Sequence, residues 1–292
     1  MSGRYGTSPV KRTRRTKAEI EALDGELYQI VAADPPMTVR QVFYQATVRG
    51  LVPKDEAKGY RVVQRRLVAL RESGVIPYGY ITDNVRIVRA LDRWSDPQAF
   101  ASDVAQLYRR DYWARADARV EIWLEKDALA GVLVPVVVHE WGLELYVTRG
   151  FASVSYLQSA AEETRADGRP TYVYVLSDLD PSGVDIARAI AAELPRRAHP
   201  VPVEVTRLAV TPEQAIEMQL PTRPTKKTDT RAKRFEAAYG TGSVELDAIP
   251  PATLRAMVSE AIGRHGDQGE LERLKRVEEL ERQSLSEAWR QP

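Results

Sequence analysis

The stretch Thr171–Ile186, TYVYVLSDLDPSGVDI, carries two carboxylates one residue apart at the end of an apolar run. Acids held this close repel and raise one another's pKa unless a cation lies between them. Glu125 ends another apolar run, VEIWLE, with Lys126 beside it, and Gly150 lies in a third segment, TRGFAS. The chain has no cysteine and only three histidines, His139, His199 and His265, none near another. That composition excludes disulfides, thiolate metal sites and cysteine nucleophiles, and it argues against zinc. Carboxylates without softer partners favour magnesium, with manganese the alternative. Asp180 before Pro181 also fits a simple helix cap, and Asp185 fits the positive end of the helix that follows.

Whether such acids meet depends on the elements that carry them. From Val120 onward VEIWLE, LELYVT, TYVYVLS and VEVTRLAV read as strands, alternating with helices over Ala128–His139, Ser153–Arg165 and Ser182–Leu194. That alternation predicts an α/β domain with a parallel sheet covered on both faces. In such a sheet the strands end at one edge, and ligands bind there. Glu125, Asp178 and Asp180 are therefore expected at a single edge, as ligands of a divalent cation.

Ahead of the sheet, Lys17–Ala33 has Ile20, Leu23, Leu27 and Ile30 on one helical face, and Asp34-Pro-Pro ends it. Thr38 caps a second helix, Val39–Arg49, stopped by Gly50. A third helix spans Asp55–Ser73, burying Tyr60, Val63, Leu67 and Leu70. Its Arg61, Arg65 and Arg66 suit contact with DNA phosphates and base edges. VIPYGYITD then reads as a short extended ribbon with a turn. Three short helices and a ribbon match the order of a winged helix-turn-helix; a helical bundle with a basic face is the alternative. Asp96-Pro97 starts a further helix to about Tyr112. The expected organisation is a basic arm over 1–17, a winged-helix domain over 18–115 and a sheet domain over 118–292 with a helical C-terminal extension.

A net charge of +1 conceals local asymmetry. The opening MSGRYGTSPVKRTRRTK carries basic residues and no acid, which fits a nucleic-acid-tracking arm or a solubilising tail. PTRPTKKTDTRAKRF adds Arg223, Lys226, Lys227, Arg231, Lys233 and Arg234, a second candidate DNA contact. Leu271, Leu274, Val277 and Leu280 form a late helical stripe, for packing or for a subunit contact. The longest apolar run, Ala128–Val138, is too short to cross a bilayer, and no export signal opens the chain. No membrane partner is expected, and the location expected is cytoplasmic and nucleoid-associated.

VEIWLEKDALAGVL, TRGFASVSYL and YVLSDLDPSGVDI together resemble the three motifs of the Toprim domain, a Rossmann-like parallel sheet domain. The EK and DPSG continuations are similar to the A subunit of topoisomerase VI and its relative, the meiotic double-strand-break transesterase, in which a winged helix precedes Toprim. The resemblance covers most of residues 35–210. It implies magnesium-dependent DNA strand cleavage and a tyrosine nucleophile in a motif matched here by Arg40, Phe43 and Tyr44 of TVRQVFYQATVRG. Arg40 and Tyr44, four apart on a helix, face the same side, so Arg40 would stabilise the charge developing on the phosphate. The resemblance implies catalytic roles for Tyr44, Arg40, Glu125 and Lys126, a 5′-phosphotyrosyl link, and a homodimer in which tyrosine and metal come from different protomers. Phe43 and Tyr44 also fit core aromatics. A hydrolytic Toprim nuclease, or a DNA-binding protein with a vestigial metal site, are the other readings. No GxxxxGK[ST] motif occurs, so ATP-driven strand passage would need a separate ATPase subunit.

Overall fold

The structure, a computed structural model, describes residues 15–82, 93–225 and 229–288. Helices α1 (Lys17–Ala33) and α2 (Val39–Val48) begin alike. Thr16 and Thr38 each accept a hydrogen bond from the backbone N–H three residues on, and Glu19 and Gln41 return one. These reciprocal pairs satisfy N–H groups that a helix start leaves orphaned. After a wide turn over Glu56–Tyr60, α3 runs from Arg61 to Glu72. Leu27, Ile30, Val42, Phe43, Val63 and Leu67 are fully buried where the three helices meet.

The expected ribbon takes a different form. VIPYGYITD gives one tight turn at Tyr78–Tyr80, opened by Pro77, and Ile81 then makes a single bridge to Met37. Proline lacks the N–H that a strand ladder needs, and no hairpin forms among the described residues. The next helix, α4 (Pro97–Leu107), is capped by Asp96 as expected but stops short of Tyr112.

The second half is α/β. Its elements are β1 (Arg119–Leu124), α5 (Ala130–Val134), β2 (Leu145–Val147), α6 (Val154–Asp167), β3 (Thr171–Leu176), α7 (Pro181–Ala198) and β4 (Val203–Ala209). The four strands are parallel in the order β2-β1-β3-β4. Trp123, Val173 and Val175 pack beneath α6 and α7 with Leu157, Ile186 and Ile190, while Ile122, Leu124 and Leu176 join the larger core on the other face. Burial on both faces is why the central strands β1 and β3 read as nearly continuous apolar runs, while the edge strand β4 alternates. The helix expected over Ala128–His139 is split into a tight turn, α5 and a wide turn from Pro135, since proline removes a ladder N–H.

The chain continues through α8 (Pro212–Glu217), β5 (Arg223–Pro224), α9 (Ala232–Tyr239), β6 (Gly242–Ser243), α10 (Pro251–Gly263) and α11 (Gln268–Ala288). β5 and β6 form a small antiparallel pair. On α11 the expected stripe is only partly buried. Leu271 is covered and Leu280 is exposed, while Glu278 turns inward. It accepts hydrogen bonds from the Arg110 backbone N–H (2.8 Å) and the Tyr112 hydroxyl (2.7 Å), and so straps the segment after α4. The buried cluster that holds β1 also holds Leu27, Phe43 and Leu67, so the expected boundary at residues 115–119 does not separate two cores. No helix among the described residues is long and apolar enough to cross a membrane.

Candidate active site

β1 and β3 run in register and end together at Leu124 and Leu176. The next residues are Glu125 and, after Ser177, Asp178, so the sheet edge brings these acids together as the strand pattern predicts. Glu125 Oε2 accepts a hydrogen bond from the Asp178 N–H at 3.2 Å. Burial first, and then the Asp178 carboxylate, push the Glu125 pKa up to about 7. Asp178 is 8 % exposed; burial raises its pKa too, against the pull of Lys126.

The turn after β3 depends on Gly183. A Cβ there would lie 2.2 Å from the Asp178 carbonyl oxygen, so only glycine allows α7 to start this close to the strand. Asp180 caps α7, with Oδ1 accepting from the Gly183 N–H at 2.7 Å. The helix-cap alternative for Asp180 therefore holds, and its other carboxylate oxygen accepts no hydrogen bond from the described residues. Asp185 lies apart from this edge, paired with Arg188 at 2.7 Å and Arg231 at 3.6 Å.

Lys126 is not beside the cluster but inside it. Its ammonium lies 3.0 Å from Asp178 Oδ1, 2.9 Å from Asp247 Oδ2 and 3.5 Å from Glu245 Oε2. Burial alone would lower its pKa, but Asp247, then Asp178 and Glu245, outweigh that and raise it. The ammonium stays charged.

Glu245 and Asp247 come from the segment between β6 and α10, which carries no motif of the resemblance. The chain at Val244 bridges antiparallel to Leu179, with hydrogen bonds of 2.8 and 2.9 Å, and the Leu246 N–H donates to Asp178 Oδ1 at 2.8 Å. Asp247 is 3 % exposed, and its Oδ1 accepts from the Thr38 hydroxyl at 2.9 Å. Thr38 is also the cap of α2. Asp247 thus ties the helical unit to Lys126. The pattern V-E-L-D repeats the acid-leucine-acid spacing of D-L-D and was the signal available in the sequence. Arg207, on β4, was also not foreseen; it donates to the Asp178 carbonyl at 2.6 Å.

Arg40 enters the same cleft from α2, 3.2 Å from Glu245 Oε2, with its guanidinium 4.9 Å from the centre of the Tyr60 ring. Arg223 lies 2.6 Å from Glu245 Oε1 and 5.5 Å from the centre of the Tyr44 ring. These side chains, with Lys126, Asp178, Asp180 and Asp247, line an open cleft of about 590 Å³ between the helical unit and the sheet edge. Tyr44 itself is 2 % exposed, packed against Phe43, and its hydroxyl has no hydrogen-bond partner among the described residues. Burial first, then Glu245, raise its pKa well above the usual tyrosine value.

The acids suit a hard divalent cation. Glu125, Asp178 and Asp180 each keep one carboxylate oxygen that accepts no hydrogen bond from the described residues. No three such groups among the described residues converge tightly enough to form a cage. One or two carboxylates with water or phosphate completing the shell is the only way these acids would hold a magnesium ion.

The candidate DNA contacts divide. Arg61 and Arg65 are exposed on α3. Arg66 is instead engaged by Asp24 through two hydrogen bonds, 2.7 and 2.5 Å, clamping α3 to α1. Arg231 pairs with Asp229 at 2.9 Å and sits 5.3 Å from the centre of the Phe151 ring. Lys233 and Arg234 are exposed on α9. Lys226, Lys227 and the basic arm up to Arg14 lie outside the described residues. Compared with models of known protein families and with curated proteins, the chain matches none.

Proposed function

We propose that this protein cleaves DNA strands with the help of a divalent cation, in the manner of a Toprim enzyme preceded by a winged-helix-like DNA-binding unit. The chief support is the cleft, in which Asp178 and Asp180, beyond the end of β3, face Arg40 and Arg223 from other elements, with Glu125 behind them at the end of the adjacent β1 and bonded to the Asp178 N–H. One or two of those acids would hold a magnesium ion, which would supply positive charge to the scissile phosphate and the leaving oxygen. Arg40 and Arg223 bind the phosphate and offset the charge that grows in the transition state. Asp178 is positioned by Lys126 and by the Leu246 N–H. Exposed Arg61 and Arg65 track neighbouring phosphates.

Two nucleophiles fit this chemistry. Tyr44 is the one implied by the resemblance: its oxygen would bond to phosphorus as the deoxyribose 3′ oxygen leaves and takes up a proton, and the tyrosine proton must pass to a base. The burial of its hydroxyl and its raised pKa oppose attack from this conformation, so Arg223 and α2 must shift first. The same observation favours the second reading, hydrolysis by water, for which no such movement is needed.

Supercoiled DNA incubated with magnesium and wild type, Tyr44→Phe or Asp178→Asn, then denatured with and without protease, separates them. Protein-linked breaks lost in Tyr44→Phe identify the tyrosine. Free breaks that survive Tyr44→Phe but not Asp178→Asn identify water. Absence of breaks with every protein, while DNA is still bound, overturns cleavage.

A further inference from the structure

Glu245 is an anion held by three cations. Its two oxygens lie 2.6 Å from Arg223, 3.2 Å from Arg40 and 3.5 Å from Lys126, and its side chain is only 20 % exposed. Two of these cations are oriented by something other than Glu245. The Arg40 guanidinium lies 4.9 Å from the centre of the Tyr60 ring and that of Arg223 5.5 Å from the centre of the Tyr44 ring, cation–π contacts that do not depend on which anion each meets. The third, Lys126, is anchored by Asp247 and Asp178. The backbone beside Glu245 is pinned as well, by the Val244–Leu179 bridge and the Leu246–Asp178 hydrogen bond. The Glu245 side chain opens onto the cleft, so turning it withdraws its carboxylate from these cations.

We infer that Arg40, Arg223 and Lys126 form a seat for one phosphate group of a nucleic-acid backbone, and that Glu245 fills that seat as an internal stand-in until the phosphate displaces it. Two planar guanidinium forks and an ammonium converging on two oxygens match phosphate as well as carboxylate. The nucleic-acid identity of the ligand rests on the proposed cleavage; the seat itself does not. In the free protein the C-terminal segment thus competes with substrate, and binding carries the cost of breaking three ion pairs.

The test measures affinity without divalent cation, in EDTA, so that cleavage plays no part. A fluorescent duplex oligonucleotide and inorganic phosphate are each titrated against wild type, Glu245→Gln and Arg223→Gln/Glu245→Gln. Removing a carboxylate that competes for the seat makes Glu245→Gln bind the duplex about tenfold more tightly, the scale of one close like-charge contact. Its log-affinity against log-salt slope steepens by about one phosphate. The double variant loses both gains. Phosphate protects Glu245→Gln against thermal unfolding at concentrations that leave wild type unaffected.

Unchanged or weaker binding of both probes by a Glu245→Gln protein that melts like wild type overturns the inference and leaves the cleavage proposal standing. Tighter phosphate binding without any duplex binding upholds the seat but overturns its nucleic-acid ligand, and with it the cleavage reading. Glu245→Ser, read in the same way, guards against a folding defect peculiar to glutamine.

Discussion

Two acid-leucine-acid segments meet in the cleft, Asp178-Leu179-Asp180 and Glu245-Leu246-Asp247, and they behave differently. The first follows a buried strand and starts a helix, so its backbone is fixed by the sheet and one of its acids caps α7. The second lies in the connection between β6 and α10, and both of its acids hold cations from elsewhere: Glu245 the two arginines and Lys126, and Asp247 the lysine, while also accepting from the Thr38 hydroxyl. The first pair owes its position to secondary structure. The second owes it to tertiary contacts and in turn decides where Lys126 and Arg40 sit. A metal-site motif read from strand ends is therefore half of this site's electrostatics.

Breaking the first segment should have the largest effect. Gly183→Ala drives a methyl against the Asp178 carbonyl, 2.2 Å away, and separates α7 from β3. The expected loss is about 3 kcal/mol of stability, the upper part of the range for overpacking, read by denaturant unfolding. Asp247→Ala comes next. It leaves Lys126 with fewer counter-charges and Thr38 without its acceptor, for about 2 kcal/mol, below the full penalty of a buried broken pair because Lys126 is partly exposed. An unchanged melting temperature in Asp247→Ala would mean that the second segment does not organise the site.

Glu125→Gln sharpens the contrast through pH. The folded protein holds the Glu125 proton up to about pH 7, whereas an unfolded glutamate releases it near pH 4.3. Between those values the folded state binds more protons, so wild-type stability falls as pH rises through the window. Without divalent cation, the two proteins should melt together near pH 4 and the variant should be more stable at pH 8 by about 3 kcal/mol. Added magnesium should narrow that gap by stabilising only wild type. The smallest effect concerns α3. Arg65→Ala should reduce duplex affinity a few-fold and lower the salt slope by about one, leaving stability intact. Arg66→Ala should instead destabilise by about 1 kcal/mol through the lost Asp24 clamp.

Legibility from sequence followed the same division. The strands were readable because burial on both faces leaves continuous apolar runs, and the edge acids followed from their termination. Thr38 and Asp96 as caps were readable because capping is local. Pro135 breaks the helix inside an apolar run whose pattern alone predicts it unbroken. Arg66 looked like its neighbours, because pairing with Asp24 is a contact between helices that no spacing rule encodes. Glu245 and Asp247 offered only their acid-leucine-acid spacing, and its meaning depends on Leu179 lying beside Val244, far away in the chain.

The bond from Thr38 to Asp247 and on to Lys126 has a mechanical consequence. The threonine that starts α2 and the ammonium that steadies Asp178 lean on opposite oxygens of one buried carboxylate. Tilting α2 away from the sheet must either drag that carboxylate or let it go, and in both cases the lysine is re-seated. Opening the cleft and retuning its charge are thus one motion, geared through a single side chain.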